Sequence, residues 1–233
     1  MKITFHGAAQ TVTGSKHLIH LKNGKKILLD CGLFQGMGED TLTLNTHFGF
    51  GPKEVTYMIL SHAHIDHSGL LPKLVKEGYK GKIYCTPATA DLTTVMLQDS
   101  AFIQEADVAF VNKRRAQKGL PYIKPLYTIA DANNVFPLFE EVPYGKVTQI
   151  DDDISFHYTD TGHILGSAAI HVTIREGGKQ HVITFSGDVG RYRDVILRSP
   201  EVFPQSDYII IESTYGDSLH EDYRNTPDDL LKH

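Results

Sequence analysis

Six consecutive residues, His62-Ala63-His64-Ile65-Asp66-His67, follow the apolar stretch Val55 to Leu60 and constrain the fold more than any other feature of the chain. Whatever element precedes them must deliver three imidazoles and a carboxylate to one place. Side chains in extended backbone repeat every second residue, so His62 and His64 share a face. Asp66 and His67 then turn toward a second position. This spacing suits two adjacent cations, one at His62 and His64 and one at Asp66 and His67, with the nitrogen and oxygen donors that zinc accepts. The competing reading is a solvated polar loop, and the density of ligand-type residues argues against it.

At 233 residues the chain can bury a sizeable core around such a site, most simply as one α/β domain. Its 41% hydrophobic and 22% charged residues are those of an ordinary globular protein. Met1 to Gly7 holds no basic region followed by an apolar core, and no stretch reaches the length of a membrane span, so a cytoplasmic location is expected. Cys31 and Cys85 stand singly, which indicates neither a disulfide framework nor a thiolate zinc cage. The net charge of -5 argues against coating nucleic acid by bulk electrostatics. It leaves room for a phosphodiester substrate, because two divalent cations make a pocket locally positive.

β-Branched or alternating runs predict strands at Ile3 to Phe5, Ser15 to His20, Lys26 to Asp30, Val55 to Leu60, Lys82 to Tyr84, Ile154 to Thr159, Ala169 to Ile174, His181 to Ser186 and Tyr208 to Glu212. Asn23-Gly24 marks a hairpin. Leu70, Leu71, Leu74 and Val75 form a short helical face after the histidines. After Pro87, residues Leu92, Val95, Met96, Phe102, Ile103, Ala106 and Phe110 recur at three- and four-residue steps, which predicts an amphipathic helix packed on a sheet. Lys113-Arg114-Arg115 and Lys118 close it, where cations complement the helix dipole. Thr226-Pro227-Asp228-Asp229 has the cap, proline and acidic residues with which a helix begins.

A two-cation site needs further ligands from strand ends. His163 stands in a glycine-flanked turn, Thr159 to Ser167, and Asp188 follows the apolar strand that ends at Ser186. His163 would complete the set of His62 and His64, and Asp188 could bridge both cations through its two oxygens. Asp30, after Ile27-Leu28-Leu29, reads as a carboxylate that sets the tautomer of a ligand histidine, or simply as a strand terminator. Glu212 is another carboxylate at a strand end. His6, His17, His20, His47, His157, His171, His181 and His220 lack partners at ligand spacing and read as surface or satisfied core groups.

The hexapeptide with its later isolated His and Asp resembles the metallo-β-lactamase superfamily. Its neighbours, Gly7 to Ser15, Leu29 to Gly36, Thr161 to Ala168, Phe185 to Arg191 and Glu212 to Gly216, resemble the RNA-processing β-CASP branch of that superfamily. The resemblance implies an α/β fold, the four-layer αβ/βα metallo-β-lactamase sandwich, incomplete at its C-terminal end. It implies a metallo-β-lactamase domain over residues 1–215 and the start of a truncated β-CASP domain over 216–233. It also implies two zinc ions: His62, His64 and His163 on the first, Asp66 and His67 on the second, and Asp188 on both. Asp30 and Glu212 match supporting carboxylates, the latter orienting a histidine of the next domain.

The expected activity is a zinc-dependent phosphodiesterase acting on RNA, as an exo- or endonuclease, through a hydroxide shared by the two cations. Asp66, a ligand, also orients the nucleophile. A thioesterase or lactamase type of small-molecule hydrolase is the alternative, and an inactive metal-binding scaffold is a third reading. RNA is the expected partner, no membrane is, and assembly with further copies of the chain is left open.

Overall fold

A computed structural model describes residues 1–192, 194–218 and 231. Strands β1 (Lys2–Phe5), β2 (His17–His20), β3 (Lys26–Leu29), β4 (Tyr57–Ile59), β5 (Ile83–Cys85) and β6 (Phe139–Glu141) form one sheet in sequential order. Its first three strands pair antiparallel and the rest parallel. The turn from β2 to β3 has Gly24 at φ 88°, a conformation that costs glycine little. Strands β7 (Thr148–Asp151), β8 (Ile154–Asp160), β9 (Ala168–Glu176), β10 (Lys179–Phe185) and β11 (Tyr208–Ile210) form the second sheet, which is antiparallel except where β11 runs parallel to β10.

Period-two alternation divides the core. Ile19, Ile27, Leu29 and Ile59 face Phe156, Tyr158, Ile170 and Val172 of the second sheet, while Leu18, Leu28, Met58 and Leu60 face helices. Those helices are α1 (Asp40–Thr46), α2 (Ile65–Ser68), α3 (Leu71–Lys76), α4 (Pro87–Gln117) and α5 (Ile129–Asn133). Leu71 and Leu74 from α3, Leu97 and Ala101 from α4 and Ala132 from α5 seal the outer face of the first sheet. The outer face of the second sheet holds His171, with Phe203 edge-on at 5.7 Å. Among the described residues, no helix is long and apolar enough to cross a membrane.

One expectation about α4 is overturned. The helix buries Thr89, Ala90, Thr93, Leu97 and Ala101, whereas Val95, Phe102, Ile103 and Phe110 are 63%, 62%, 50% and 56% exposed. Small side chains let the helix approach closely what lies beneath it. Helical periodicity marks an apolar face without saying whether that face turns inward. The short elements α1, α5, β6 and β7 carried no periodic signal; α5 begins at a capping box of Thr128 and Asp131.

The solitary histidines also divide. His171 is buried between the hydroxyls of Thr159 and Thr184, each 2.8 Å away. His17 Nδ1 and His6 Nε2 are instead buried without a partner, so these two are not satisfied core groups. His220 and the helix start at Thr226 to Asp229 lie outside the described residues.

Candidate metal centre

The candidate residues come from one end of the two sheets, at the carboxyl ends of β3, β4, β8, β10 and β11. Strand ends are where backbone stops pairing and loops can aim side chains into a crevice. Asp30 follows β3, His62 and His64 follow β4, and the single turn of α2 carries Asp66 and His67. His163 follows β8, Asp188 follows β10 and Glu212 follows β11.

Four of these groups converge. His64 Nδ1 lies 3.2 Å from His62 Nε2 and 3.1 Å from His163 Nε2. Asp188 Oδ2 lies 3.6 Å from His62 Nε2 and 3.4 Å from His163 Nε2. Ligands held at zinc-like distances of about 2.0–2.1 Å around a tetrahedral ion stand about 3.3 Å apart, so the four atoms have the spacing of a coordination shell. A cation at their centre would accept a lone pair from every one of these atoms. The other oxygen of Asp188, Oδ1, lies 3.2 Å from His67 Nε2, with Asp66 Oδ2 3.8 Å from that nitrogen. Asp66, His67 and Asp188 thus form a second, looser group that shares Asp188 with the first.

Fixed tautomers aim these nitrogens. Asp30 is fully buried, and its Oδ2 lies 2.6 Å from His67 Nδ1 and accepts the Ser61 hydroxyl at 2.8 Å. Its Oδ1 accepts the Ser61 N–H at 2.8 Å. Because a carboxylate only accepts, the Ser61 proton is committed to Asp30 and the Ser61 oxygen receives Nδ1–H of His62, 3.0 Å away. That leaves His62 Nε2 a bare lone pair. Asp30 itself sits at φ 58°, a left-handed conformation that Asp tolerates better than most side chains.

Backbone contacts lock the loops. A Cβ on Gly32 would meet the Asp66 carbonyl oxygen at 1.5 Å; beside it, Cys31 N–H donates to His67 O at 2.7 Å. The Ser167 hydroxyl oxygen accepts the N–H groups of His163 and Ile164 at 3.1 and 3.2 Å. Thr86 and Thr89, at the start of α4, donate to Gly166 O at 2.7 and 2.8 Å. Glu212 Oε1 accepts the Val189 N–H at 2.6 Å and steadies the backbone next to Asp188. Ser61, Thr86, Thr89 and Ser167 were not anticipated; only Thr86, a capping hydroxyl ahead of Pro87, carried a signal of its own.

Burial, then the neighbouring imidazoles, hold His62 and His64 below the usual histidine range, which favours the neutral, ligating form. Burial acts to raise Asp188, but His67, His163 and His64 outweigh it and keep the carboxylate ionised. Two clefts open onto the cluster. One, of about 530 Å³, is lined by Phe5, Ala8 to Val12, His17, His67, Asp188 and Glu212. The other, of about 450 Å³, is lined by Asp66, His163, Asp188, Arg191, Glu212 and Tyr215 among others.

The profile of the Metallo-beta-lactamase superfamily matches residues 15–231. Ribonuclease TTHA0252 of Thermus thermophilus is 36% identical over 232 residues, 100% of this chain and 48% of that protein. Transcription termination factor FttA of Methanosarcina mazei is 35% identical over 221 residues, 94% of this chain and 32% of its own length. The chain therefore spans about half, or less, of the length of these relatives. Among solved structures, the native FEZ-1 metallo-beta-lactamase from Legionella gormanii aligns at TM-score 0.47 and 17% identity, over 82% of this chain and 62% of that one.

Proposed function

This chain belongs to the metallo-beta-lactamase superfamily, and from that membership we propose that its site is the larger part of a two-cation phosphodiesterase acting on RNA. The observation that carries the proposal is the division of the Asp188 carboxylate, one oxygen toward His62 and His163 and the other toward His67. We propose zinc as the metal, held by His62, His64, His163 and Asp188 in one position and by Asp66, His67 and Asp188 in the other. Bound there, the cations would supply an activated water and neutralise charge developing on a phosphate.

The residues of the chain do the positioning. Asp30 and Ser61 hold the rings of His62 and His67 with Nε2 aimed at the centre. Burial acts to lower His67, but its hydrogen bonds to Asp188 and Asp30 raise it to about 10, so a cation bound there would displace the proton on its Nε2. Asp66, on the wall of the cleft with His163, stands where a nucleophile would be oriented. Glu212 holds the strand end that carries Asp188. RNA as substrate is supported by the name of the ribonuclease relative and by the segments that resemble the β-CASP branch. On this reading residues 1–215 form the catalytic unit, a β-CASP domain starts at 216, and the protein acts in the cytoplasm.

A small-molecule hydrolase is the second reading, favoured by the net charge of -5 and by Phe5, Phe185 and Ile210 in the larger cleft. The two separate in one experiment, in which a labelled oligoribonucleotide and a thioester panel are offered to the protein with Zn2+ or Mn2+. RNA cleavage that a chelator and Asp66→Ala both abolish is the expected result. Thioester turnover with the RNA left intact overturns the nuclease.

A further inference from the structure

The apolar face of α4 that does not turn inward has an order of its own. At 100° per residue, Asp99, Phe102, Phe110 and Lys113 all project within about 40° of the direction of Ala106. The buried residues of the helix centre on the opposite side. All five of these residues are exposed, and neither Asp99 nor Lys113 has an ion-pair partner among the described residues. The Arg114 guanidinium lies 4.5 Å from the centre of the Phe110 ring, and the ring is still 56% exposed.

We propose that a second copy of this chain docks antiparallel on this face, with the two-fold axis at Ala106. Such an axis sets residues equally distant from Ala106 against each other. Asp99 then meets the partner's Lys113, seven residues from the axis on each helix, and Phe102 meets the partner's Phe110, four residues from it. Each pair forms twice, as an isologous contact requires. Alanine at the crossing lets the axes approach to about 8 Å. The charges select the direction: an antiparallel pair joins Asp99 to the partner's Lys113, whereas a parallel pair would oppose Asp99 to the partner's Asp99 and Lys113 to the partner's Lys113. This surface is independent of the proposed chemistry.

Sedimentation equilibrium of the protein and of charge variants tests the contact. A dimer with micromolar dissociation is expected. Asp99→Lys and Lys113→Asp should each weaken it about tenfold, and the double variant D99K/K113D should restore it. Under mild oxidation Ala106→Cys should cross-link as a dimer, because Cys31 and Cys85 are 0% exposed and cannot compete. A wild-type chain that stays monomeric at about 100 μM overturns the proposal. So does a dimer indifferent to all these substitutions, or a double variant no tighter than the singles. A Phe102→Glu variant that unfolds the monomer, detected by circular dichroism, also overturns it, since the face would then be covered by the same chain.

Discussion

Replacing Asp30 with Asn separates positioning from ligation. Asn fits the space and tolerates the left-handed backbone at φ 58°, so the main chain stays in place. With the retained oxygen still accepting the Ser61 N–H, the new amide nitrogen occupies the place of Oδ2 and donates where the carboxylate accepted. It then faces His67 Nδ1, formerly 2.6 Å from Oδ2, and that nitrogen must become an acceptor. The His67 proton is then held on Nε2, 3.2 Å from Asp188 Oδ1, the nitrogen whose lone pair a cation would need. The Ser61 hydroxyl, receiving the amide proton, turns its own toward His62 Nδ1 and disturbs the first position in the same sense.

The loss of one charge-assisted hydrogen bond to a buried carboxylate is worth about 1.5–3 kcal/mol, which corresponds to about 10–100-fold in cation affinity. Equilibrium dialysis against Zn2+ and Mn2+, with metal counted by mass spectrometry, measures it. Urea unfolding of the metal-free proteins shows whether the fold has changed. The position at Asp66, His67 and Asp188 should empty first. A D30N protein that keeps both cations at wild-type affinity would refute the tautomer argument.

Two further outcomes follow from buried groups. Burial, then His157, lowers the His171 pKa to about 4, against about 6.5 when unfolded. The neutral form contributes stability that is complete above pH 6.5 and is lost as pH falls toward 4, about 3 kcal/mol in all. Urea midpoints should therefore drop across that window and drop less in His171→Gln, with His17, also near 4, supplying a residual slope; identical slopes would exclude His171. Gly32→Ala should force the Asp66 carbonyl away from a methyl group that has no room. The cost is about 1–3 kcal/mol, more if backbone moves, with weaker cation binding; an unchanged melting temperature and cation count would contradict it.

The hexapeptide His62 to His67 was legible because covalent spacing alone puts its groups within a few ångströms. His163, Asp188, Asp30 and Glu212 could be picked out as polar residues closing apolar strands, and the strands themselves came from alternation. The hydroxyls of Ser61 and Ser167 could not, since a serine in a loop looks the same whether or not an imidazole leans on it. Nor could the outward face of α4, where helical period was visible but direction was not.

By itself the sequence determined which groups exist and which neighbours share a face, because those follow from bond lengths and from backbone period. Only the tertiary structure decided that His163 stands 3.1 Å from His64, 99 residues away, and that Asp188 lies between two histidine groups. Both depend on two sheets closing over a shared core and on β8, β9 and β10 pairing side by side. Such distances are set by the packing of the whole chain, which no local pattern encodes.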